Sequence, residues 1–341
     1  MPRLGLTVPI SEGLTRQESL DLVRRAEELG FESAWYGESW GYDAFTTLAQ
    51  VAGVTSSIRL GTLIATVFSR TPAMMAQSAA SLDAISDGRL ILGLGTSGPI
   101  VVRDWHGQTW NQPTRRMREY VEIVKMALAG ERVDYEGELF NLKGFRLRNP
   151  RARVSVPIMI ASLGPSSVEQ TGEIADGWLP IFPNAQLLQE GKALLAKGAV
   201  RSGRDMGQFE IAPMILTAVS DDDPRAVRDL ARAHIAFYVG GMGTFYADLV
   251  ERQGFPEEAS RIAQEWAKPG RAGRSSAAAA VTDEMLDAMT LVGDRLHVLN
   301  KLDEYANAGV TLPIAAFPFG SDKAMIAQTV EALGPSASER V

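Results

Sequence analysis

Short apolar runs alternate with amphipathic helical patterns along almost the whole chain, from a first apolar run at 3–10 to a last one at 311–317. Strands that alternate with helices pair in parallel, because each helix carries the chain back to the start of the next strand. Eight such units predict an α/β fold of the (βα)8 TIM-barrel type. An open doubly wound sheet is the structural alternative, since periodicity alone does not show closure.

The predicted strands and helices carry recognisable local signals. Thr15 with Glu18 three residues later forms a capping box, and Thr71 precedes a proline at the first position of a later helix. The run at 89–95 hardly alternates between apolar and polar residues, which is typical of a strand buried on both faces. The predicted strands are residues 3–10, 33–38, 58–65, 89–95, 156–161, 177–182, 209–219 and 311–317.

Two segments break this alternation. Residues 133–142, VDYEGELFNL, are typical of a small hairpin around Glu136-Gly137. Residues 240–285 predict a helical insertion before the last strand. The prediction is therefore one TIM-barrel domain over residues 1–341 that contains this insertion.

Composition excludes several classes of function. The net charge of −7 and the lack of any basic run argue against a nucleic-acid partner. The chain has no cysteine, which excludes disulfides, thiolate metal sites and cysteine nucleophiles and fits a reducing cytoplasm. No run approaches the ~20 apolar residues of a membrane span, and the N-terminus lacks a signal-peptide core. A cytoplasmic protein that binds a small molecule is expected.

The candidate site residues follow the predicted strands directly, because barrel sites lie at the carboxyl ends of the strands. Four such groups contain glycine or a residue with a hydroxyl or carboxylate side chain. They are Glu38, Ser39 and Trp40 after the second strand, Ile64, Ala65, Thr66 and Val67 after the third, Thr96, Ser97 and Gly98 after the fourth, and Ser162, Leu163, Gly164, Pro165 and Ser166 after the fifth.

The SLGPSS segment leads from the fifth strand straight into a helix. Gly164 allows close approach of a ligand to the backbone, Pro165 needs no N–H partner, and the next serines can cap the helix or donate to a phosphate. Free amides and the helix dipole make a phosphate site here plausible. A plain Gly-Pro helix start with serine caps is the alternative on local sequence.

Residues 93–98, GLGTSG, match the G-x-G-x-x-G dinucleotide fingerprint. That fingerprint requires the loop to open a helix directly, and here the next clear helical pattern begins only near Pro113. The segment is therefore interpreted as a strand end whose glycines let a flat ring approach the backbone.

Glu38 is the strongest candidate for acid–base chemistry. A carboxylate at a strand end among Trp35, Tyr36 and Trp40 would be partly desolvated and able to hold a proton. A carboxylate that caps the next helix or pairs with an arginine is the alternative.

The three histidines show no metal-ligand spacing, so no metal site is expected. His106 lies in a DWHG loop, where it is a candidate for catalysis or for stacking on a ligand, or is a loop residue bonded to backbone. His234 and His297 lie within helical patterns and are interpreted as structural.

Several segments resemble the bacterial luciferase-like superfamily, and within it the coenzyme F420-dependent oxidoreductases. The similar segments are LVRRAEELGFESAWYGE, IRLGTLIATVFSRTPAMMAQSAASLDAISDGRLILGLGTSGP, RMREYVEIVKMAL and PIMIASLGPSSVEQTGEIADGW. They cover most of residues 1–180, and a weaker similarity covers 291–320.

The resemblance implies a homodimeric barrel with an insertion before the last strand and a flavin-type ring at the strand ends. It implies a non-prolyl cis peptide bond at Leu63–Ile64 behind the ring and a phosphate site at the turn formed by Gly164, Pro165 and Ser166. It also implies that Glu38 lies near the reactive ring carbon. The cofactor-binding residues expected in this way are Leu63, Ile64, Ala65, Thr66, Thr96, Ser97, Gly98, Ser162, Leu163, Gly164, Pro165 and Ser166.

Departures from the family pattern restrict the reaction. Several relatives carry Asp-His where this chain has Glu38-Ser39, and some sugar-phosphate dehydrogenases carry a glutamate where Ser97-Gly98 stand. A sugar-phosphate reaction is therefore not expected, and the segments are more similar to the methylenetetrahydromethanopterin reductase-like subgroup. The expected reaction is hydride transfer with F420, with Glu38 or His106 handling the proton. The alternatives are an FMN-dependent monooxygenase and a non-catalytic flavin-binding protein, although the presence of Glu38 argues against the latter.

Overall fold

The computed structural model describes residues 3–10, 13–148 and 155–334. Its strands, in chain order, are β1 (Gly5–Thr7), β2 (Ser33–Tyr36), β3 (Arg59–Thr62), β4 (Ala65–Thr66), β5 (Leu90–Gly95), β6 (Val133–Glu136), β7 (Asn141–Phe145), β8 (Ile158–Ala161), β9 (Gly177–Trp178), β10 (Glu210–Ile211), β11 (Met214–Val219), β12 (Thr290–Gly293) and β13 (Ile314–Ala316).

Helices alternate with these strands, and most of them begin at a side-chain cap or a proline. The helices are α1 (Arg16–Glu28), α2 (Ala44–Ala52), α3 (Pro72–Ile85), α4 (Pro113–Leu128), α5 (Pro165–Ile174), α6 (Ala185–Ser202), α7 (Pro224–Gly241), α8 (Thr244–Arg252), α9 (Pro256–Trp266), α10 (Gly270–Ala279), α11 (Asp283–Met289), α12 (Arg295–Asn307) and α13 (Lys323–Leu333).

The local signals read from the sequence are confirmed. Thr15 and Glu18 form the capping box of α1, and Thr71 caps α3 with Pro72 at its first position. The hairpin predicted at 133–142 is the antiparallel pair β6–β7.

The strand assignments need two corrections. The predicted third and seventh strands are each divided in two, into β3 and β4 and into β10 and β11. β12, a strand of sequence TLVG, was not predicted, because it has only four residues and directly follows a helical segment. The helices of segment 240–285 therefore precede β12 and not the last strand, β13.

Two compact units interleave along the chain. The first unit comprises residues 1–31, 180–191 and 211–341, and the second comprises 32–179 and 192–210. The single domain over residues 1–341, with its insertion at 240–285, stays a prediction.

The second unit is built on a parallel ladder. β2 pairs with β3, β3 with β5, β5 with β8 and β8 with β9, while β4 also pairs with β5. All six residues of β5 are buried, which confirms the prediction of a strand covered on both faces. On α3, Met75, Ala79 and Leu82 are buried, as the helical periodicity predicted.

The first unit has its own parallel ladder, in which β1 pairs with β13, β13 with β11 and β11 with β12. A core of buried side chains from β11, β12 and helices α7 to α11 lies beside it. The helices of segment 240–285 are thus held by apolar packing, because each contributes at least one buried side chain to this core.

His234 lies within this first unit and is 5% exposed. Its Nδ1 accepts a hydrogen bond of 3.0 Å from the backbone N–H of Phe319, and its ring stacks on the Phe319 ring with centroids 3.8 Å apart. Burial lowers the pKa of His234 from 6.5 to about 3, so the folded protein holds a neutral imidazole. The structural role expected for this histidine agrees with these contacts.

Acid should therefore destabilise the fold through His234. As the pH falls below 6.5, this histidine becomes protonated in the unfolded chain. In the folded protein it stays neutral down to about pH 3. This histidine should thus lower the free energy of unfolding by up to about 1.4 kcal/mol per pH unit. We expect His234→Gln, which keeps an acceptor for Phe319, to reduce this slope in urea titrations between pH 6.5 and 4.5. Above pH 7 both proteins should share one slope, and equal slopes at acid pH would contradict the assignment.

Candidate cofactor-binding and active site

The carboxyl ends of five strands of the second unit, β2, β3, β4, β5 and β8, meet at one edge of its ladder. Tyr36 of β2 pairs with Thr62, Thr66 of β4 pairs with Gly95 at the end of β5, and Gly95 pairs with Ala161 of β8. The segments that follow these strands therefore lie at the same edge. The structure brings together residues 38, 63–66, 96–98 and 162–166, as the sequence predicted.

The peptide bond between Leu63 and Ile64 is cis, as the family resemblance implied. Leu63 N donates to Tyr36 O at 2.8 Å, and Glu38 N donates to Ile64 O at 3.0 Å, so the end of β2 holds both sides of this bond. A Cβ atom on Gly95 would lie 2.8 Å from Ile64 Cγ1, so the close approach of β5 requires glycine there.

The predicted cofactor residues after β3 differ in their accessibility. Leu63 and Ile64 are partly exposed, whereas Ala65 and Thr66 are fully buried. Thr66 Oγ1 accepts from Phe68 N at 3.3 Å. Ala65 and Thr66 therefore support the edge from inside and do not present their side chains to a ligand.

Gly164 begins α5 in extended backbone, and Pro165 occupies the first turn. Among the described residues, no side chain caps the amides of this turn. Ser167 Oγ donates backward to Gly164 O at 2.8 Å, and Ser166 is exposed. The serine caps that formed the alternative interpretation are not observed, so the amides of the first turn can bind an anion.

Ser162, which lies just before this turn, makes structural contacts. Ser162 is 5% exposed, and its hydroxyl is hydrogen bonded to Thr171 Oγ1 at 2.9 Å. Its carbonyl accepts from Trp178 Nε1 at 3.0 Å. Leu163 is half-buried. These contacts fix the end of β8 against α5 and β9.

The segment after β5 departs from the sequence prediction. A short helical segment covers residues 99–105, of which Val101–Trp105 is π-helical, whereas the sequence analysis placed no helix before Pro113. The apolar Pro-Ile-Val-Val run shows no amphipathic pattern from which this helix could be predicted, because Val101 and Val102 are both buried in the first turn of the helix. Ser97 has a left-handed φ of 52°, and a Cβ atom on Gly98 would find nothing within 4 Å. The backbone of Gly98 is thus open to a ligand.

Glu38 is held on both of its carboxylate oxygens. Arg70 Nη1 donates to Oε2 at 2.6 Å, and Ala44 N at the start of α2 donates to Oε1 at 3.2 Å. Asp43, which caps α2, also pairs with Arg70. The sequence left open that Glu38 caps the next helix or pairs with an arginine. In the structure its carboxylate does both.

Arg70 is the residue that sequence reasoning missed. Burial acts to lower its pKa, but the hydrogen bond to Glu38 and the charges of Glu38 and Asp43 raise the pKa above the ordinary arginine value. One sequence signal could have indicated Arg70: it lies between the end of β4 and Thr71, the cap of α3. This places it at the edge where β2 also ends. Its pairing with Glu38 depends on tertiary structure.

His106 lies at the end of the π-helical segment. Its backbone N donates to Val101 O at 3.0 Å, and its ring is half-buried. Within the described residues, Nε2 is shielded from solvent and has no hydrogen-bond partner. An unpartnered ring nitrogen keeps His106 as a candidate for bonding to a ligand group.

No metal or membrane feature accompanies the site in the described part of the chain. Residues 3–10, 13–148 and 155–334 contain no group of His, Asp and Glu able to hold a metal ion. Over the same ranges, no helix is both long and apolar enough to cross a bilayer.

The sequence matches the luciferase-like monooxygenase family over residues 6–312. The chain belongs to this family. A Mycobacterium tuberculosis protein assigned by name to the coenzyme F420-dependent oxidoreductases is 35% identical over an alignment of 331 residues, which covers 92% of this chain and 94% of that protein. The 5,10-methylenetetrahydromethanopterin reductase of Archaeoglobus fulgidus is 30% identical over an alignment of 304 residues, which covers 88% of this chain and 90% of the reductase.

A solved structure supports the same placement. The chain is similar to the coenzyme F420-dependent tetrahydromethanopterin reductase of Methanopyrus kandleri, with a TM-score of 0.85 and 27% identity over 99% of each chain. This likeness confirms the predicted α/β fold of the luciferase-like TIM-barrel class. As a member of this family the protein is an oxidoreductase, and the dinucleotide interpretation of residues 93–98 is not supported.

Removing Arg70 should destabilise the luciferase-like fold by leaving two carboxylates without their shared partner. We expect Arg70→Met to lower the free energy of unfolding by roughly 1–3 kcal/mol, measured by denaturant titration. Arg115→Met is the matched control, because the Arg115–Glu138 pair has side chains 48% and 62% exposed. Such exposed pairs contribute about 0–1 kcal/mol. Equal losses in the two variants would contradict a special role for Arg70.

Proposed function

We propose that this protein is a coenzyme F420-dependent oxidoreductase that transfers hydride between the deazaflavin ring and a small organic substrate. One structural observation carries the proposal: the uncapped start of α5 and the open backbone at Gly98 lie at the same strand edge. The Mycobacterium tuberculosis relative and the Methanopyrus kandleri structure are both named for F420, match almost the whole chain and support this cofactor over FMN.

The residues at this edge fit such a cofactor. A Cβ atom on Gly164 would have only Ser167 Oγ within 4 Å, at 3.7 Å, so the backbone there can be approached closely. The amides of Ser166 and Ser167 would hold the phosphate. Residues 63–64 and 96–98 would contact the ring.

A bound deazaflavin supplies a ring carbon that accepts or gives hydride, and the chain supplies orientation and proton handling. Arg70 and the start of α2 fix the Glu38 carboxylate in one position at the edge. His106 Nε2, which has no partner among the described residues, would hold or move the proton that accompanies hydride transfer.

Two alternatives use the same fold. An FMN-dependent monooxygenase would bind FMN more tightly than F420, and a non-catalytic flavin-binding protein would bind a cofactor without turnover. We also propose that the F420-dependent oxidoreductase is a homodimer and is located in the cytoplasm, as expected from the sequence.

Cofactor preference tests the proposal directly. Tryptophan-fluorescence titration should give a lower Kd for F420 than for FMN. Gly164→Asp should weaken F420 binding at least about tenfold, because it places a negative charge where the phosphate would bind. Aspartate is a good helix cap, so α5 should still form. The deazaflavin with its ribityl chain but no phosphate is the control ligand, and its affinity should not change. Preferential binding of FMN would overturn the cofactor assignment.

The proton-handling role is tested by two substitutions. We expect His106→Gln to lower the hydride-transfer rate about 10²-fold or more in stopped-flow measurements, with F420 affinity retained. Glu38→Gln keeps the acceptor oxygen for Ala44 and loses the charge opposite Arg70. A larger loss of rate in Glu38→Gln than in His106→Gln would assign the proton to Glu38, and unchanged rates in both would remove both residues from the mechanism.

A further inference from the structure

The first half of α4 carries three arginines in four residues, and they differ in their partners. Arg115 pairs with Glu138, and Arg118 pairs with Glu173. Arg116, which lies between them, forms no ion pair with any acidic side chain in the described residues. Two of these guanidinium groups are therefore neutralised by the protein, and the third is not.

Two aromatic rings enclose Arg116. Its guanidinium carbon lies 4.6 Å from the centroid of the Phe68 ring and 5.2 Å from that of Phe140. Nε is shielded from solvent and lacks a hydrogen-bond partner within the described ranges. Burial lowers the pKa of Arg116, which shows that its surroundings do not compensate for the lost hydration.

Glu119 lies one helical turn further along α4, but it does not form an ion pair with Arg116. Its carboxylate accepts from the backbone N–H groups of Glu138, Leu139 and Phe140 at 3.0, 3.0 and 3.1 Å. These three bonds anchor the turn of the β6–β7 hairpin and so hold the Phe140 ring against Arg116. The negative charge near Arg116 is thus committed to backbone donors.

Arg116 lies beside the strand edge that carries the candidate site. Phe68 follows β4 directly, and its N–H bonds to Thr66 Oγ1. Tyr120 of α4 donates to Arg70 O at 3.0 Å, and Arg70 in turn binds Glu38. The same short segment, residues 68–71, therefore contacts both Arg116 and Glu38.

Ring faces attract a cation but cannot accept the in-plane hydrogen bonds of a guanidinium. A partly buried guanidinium without such bonds is costly, whereas a carboxylate or phosphate matches its planar fork of donors. We propose that Arg116 binds an oxyanion of a ligand at this edge, a carboxylate or a phosphate. The inference rests on the proposed function for the presence of that ligand.

Two sources can supply such an oxyanion: the phosphate-and-carboxylate tail of the cofactor, or an acidic group of the substrate. The first source is tested by titrating F420 and the tail-free deazaflavin into wild type, Arg116→Gln and Arg115→Gln. If the tail binds Arg116, Arg116→Gln weakens F420 at least about tenfold and leaves the tail-free ligand unchanged. Arg115→Gln, whose parent arginine is already paired, should bind both ligands like wild type.

The second source is tested with inorganic phosphate and acetate as probes. If the substrate supplies the oxyanion, F420 affinity is the same in all three proteins. Phosphate or acetate should then raise the Tm of the F420-bound wild type and Arg115→Gln, but not that of Arg116→Gln. Arg116→Lys keeps the charge without the planar fork and should retain part of the response, and circular dichroism checks that each variant is folded.

The outcomes separate this inference from the proposed function. If wild type fails to bind F420 but shows a phosphate or acetate response that depends on Arg116, the cofactor assignment fails and the oxyanion site stands. If folded Arg116→Gln keeps both the wild-type F420 affinity and the wild-type response to phosphate and acetate, the oxyanion site is refuted.

Discussion

The parallel hydrogen-bond ladder from β2 through β3, β4 and β5 to β8 determines where every candidate site residue lies. Its register places the ends of these strands side by side, so residues far apart in sequence, such as Gly95 and Ala161, become neighbours. A slip of one residue in any of the strands would turn its side chains to the opposite face. The buried β5, with its glycine against Ile64, fixes that register at the centre of the ladder.

Charge is distributed unevenly over this frame. Arg70 pairs with both Glu38 and Asp43, so that corner of the site holds one cation between two carboxylates and has a net negative charge. The start of α5 and the guanidinium of Arg116 are positive features without a negative partner among the described residues. An edge with one net negative corner and two positive features suits a ligand whose anionic groups lie away from Glu38, near the start of α5 and near Arg116.

Local sequence predicted what local interactions determine. The caps at Thr15 and Thr71, the buried β5 and the β6–β7 hairpin could be read directly because each depends on residues within a few positions. The short strand β12 and the π-helical segment could not, since both depend on packing against distant residues. The pairing of Glu38 with Arg70 was left as one of two options for the same reason, and the cis bond at Leu63–Ile64 came only from the family resemblance.

The pairing of β1 with β13 has a consequence for how the chain acquires its structure. Gly5 and Ile314 are partners in one ladder, so β1 forms this pairing only after β13, far along the chain, has been synthesised. Residues 32–210 contain the whole second unit and can assemble while synthesis continues. Until β13 is available, the edge of β1 that pairs with it stays open, and an open strand edge can pair with another chain.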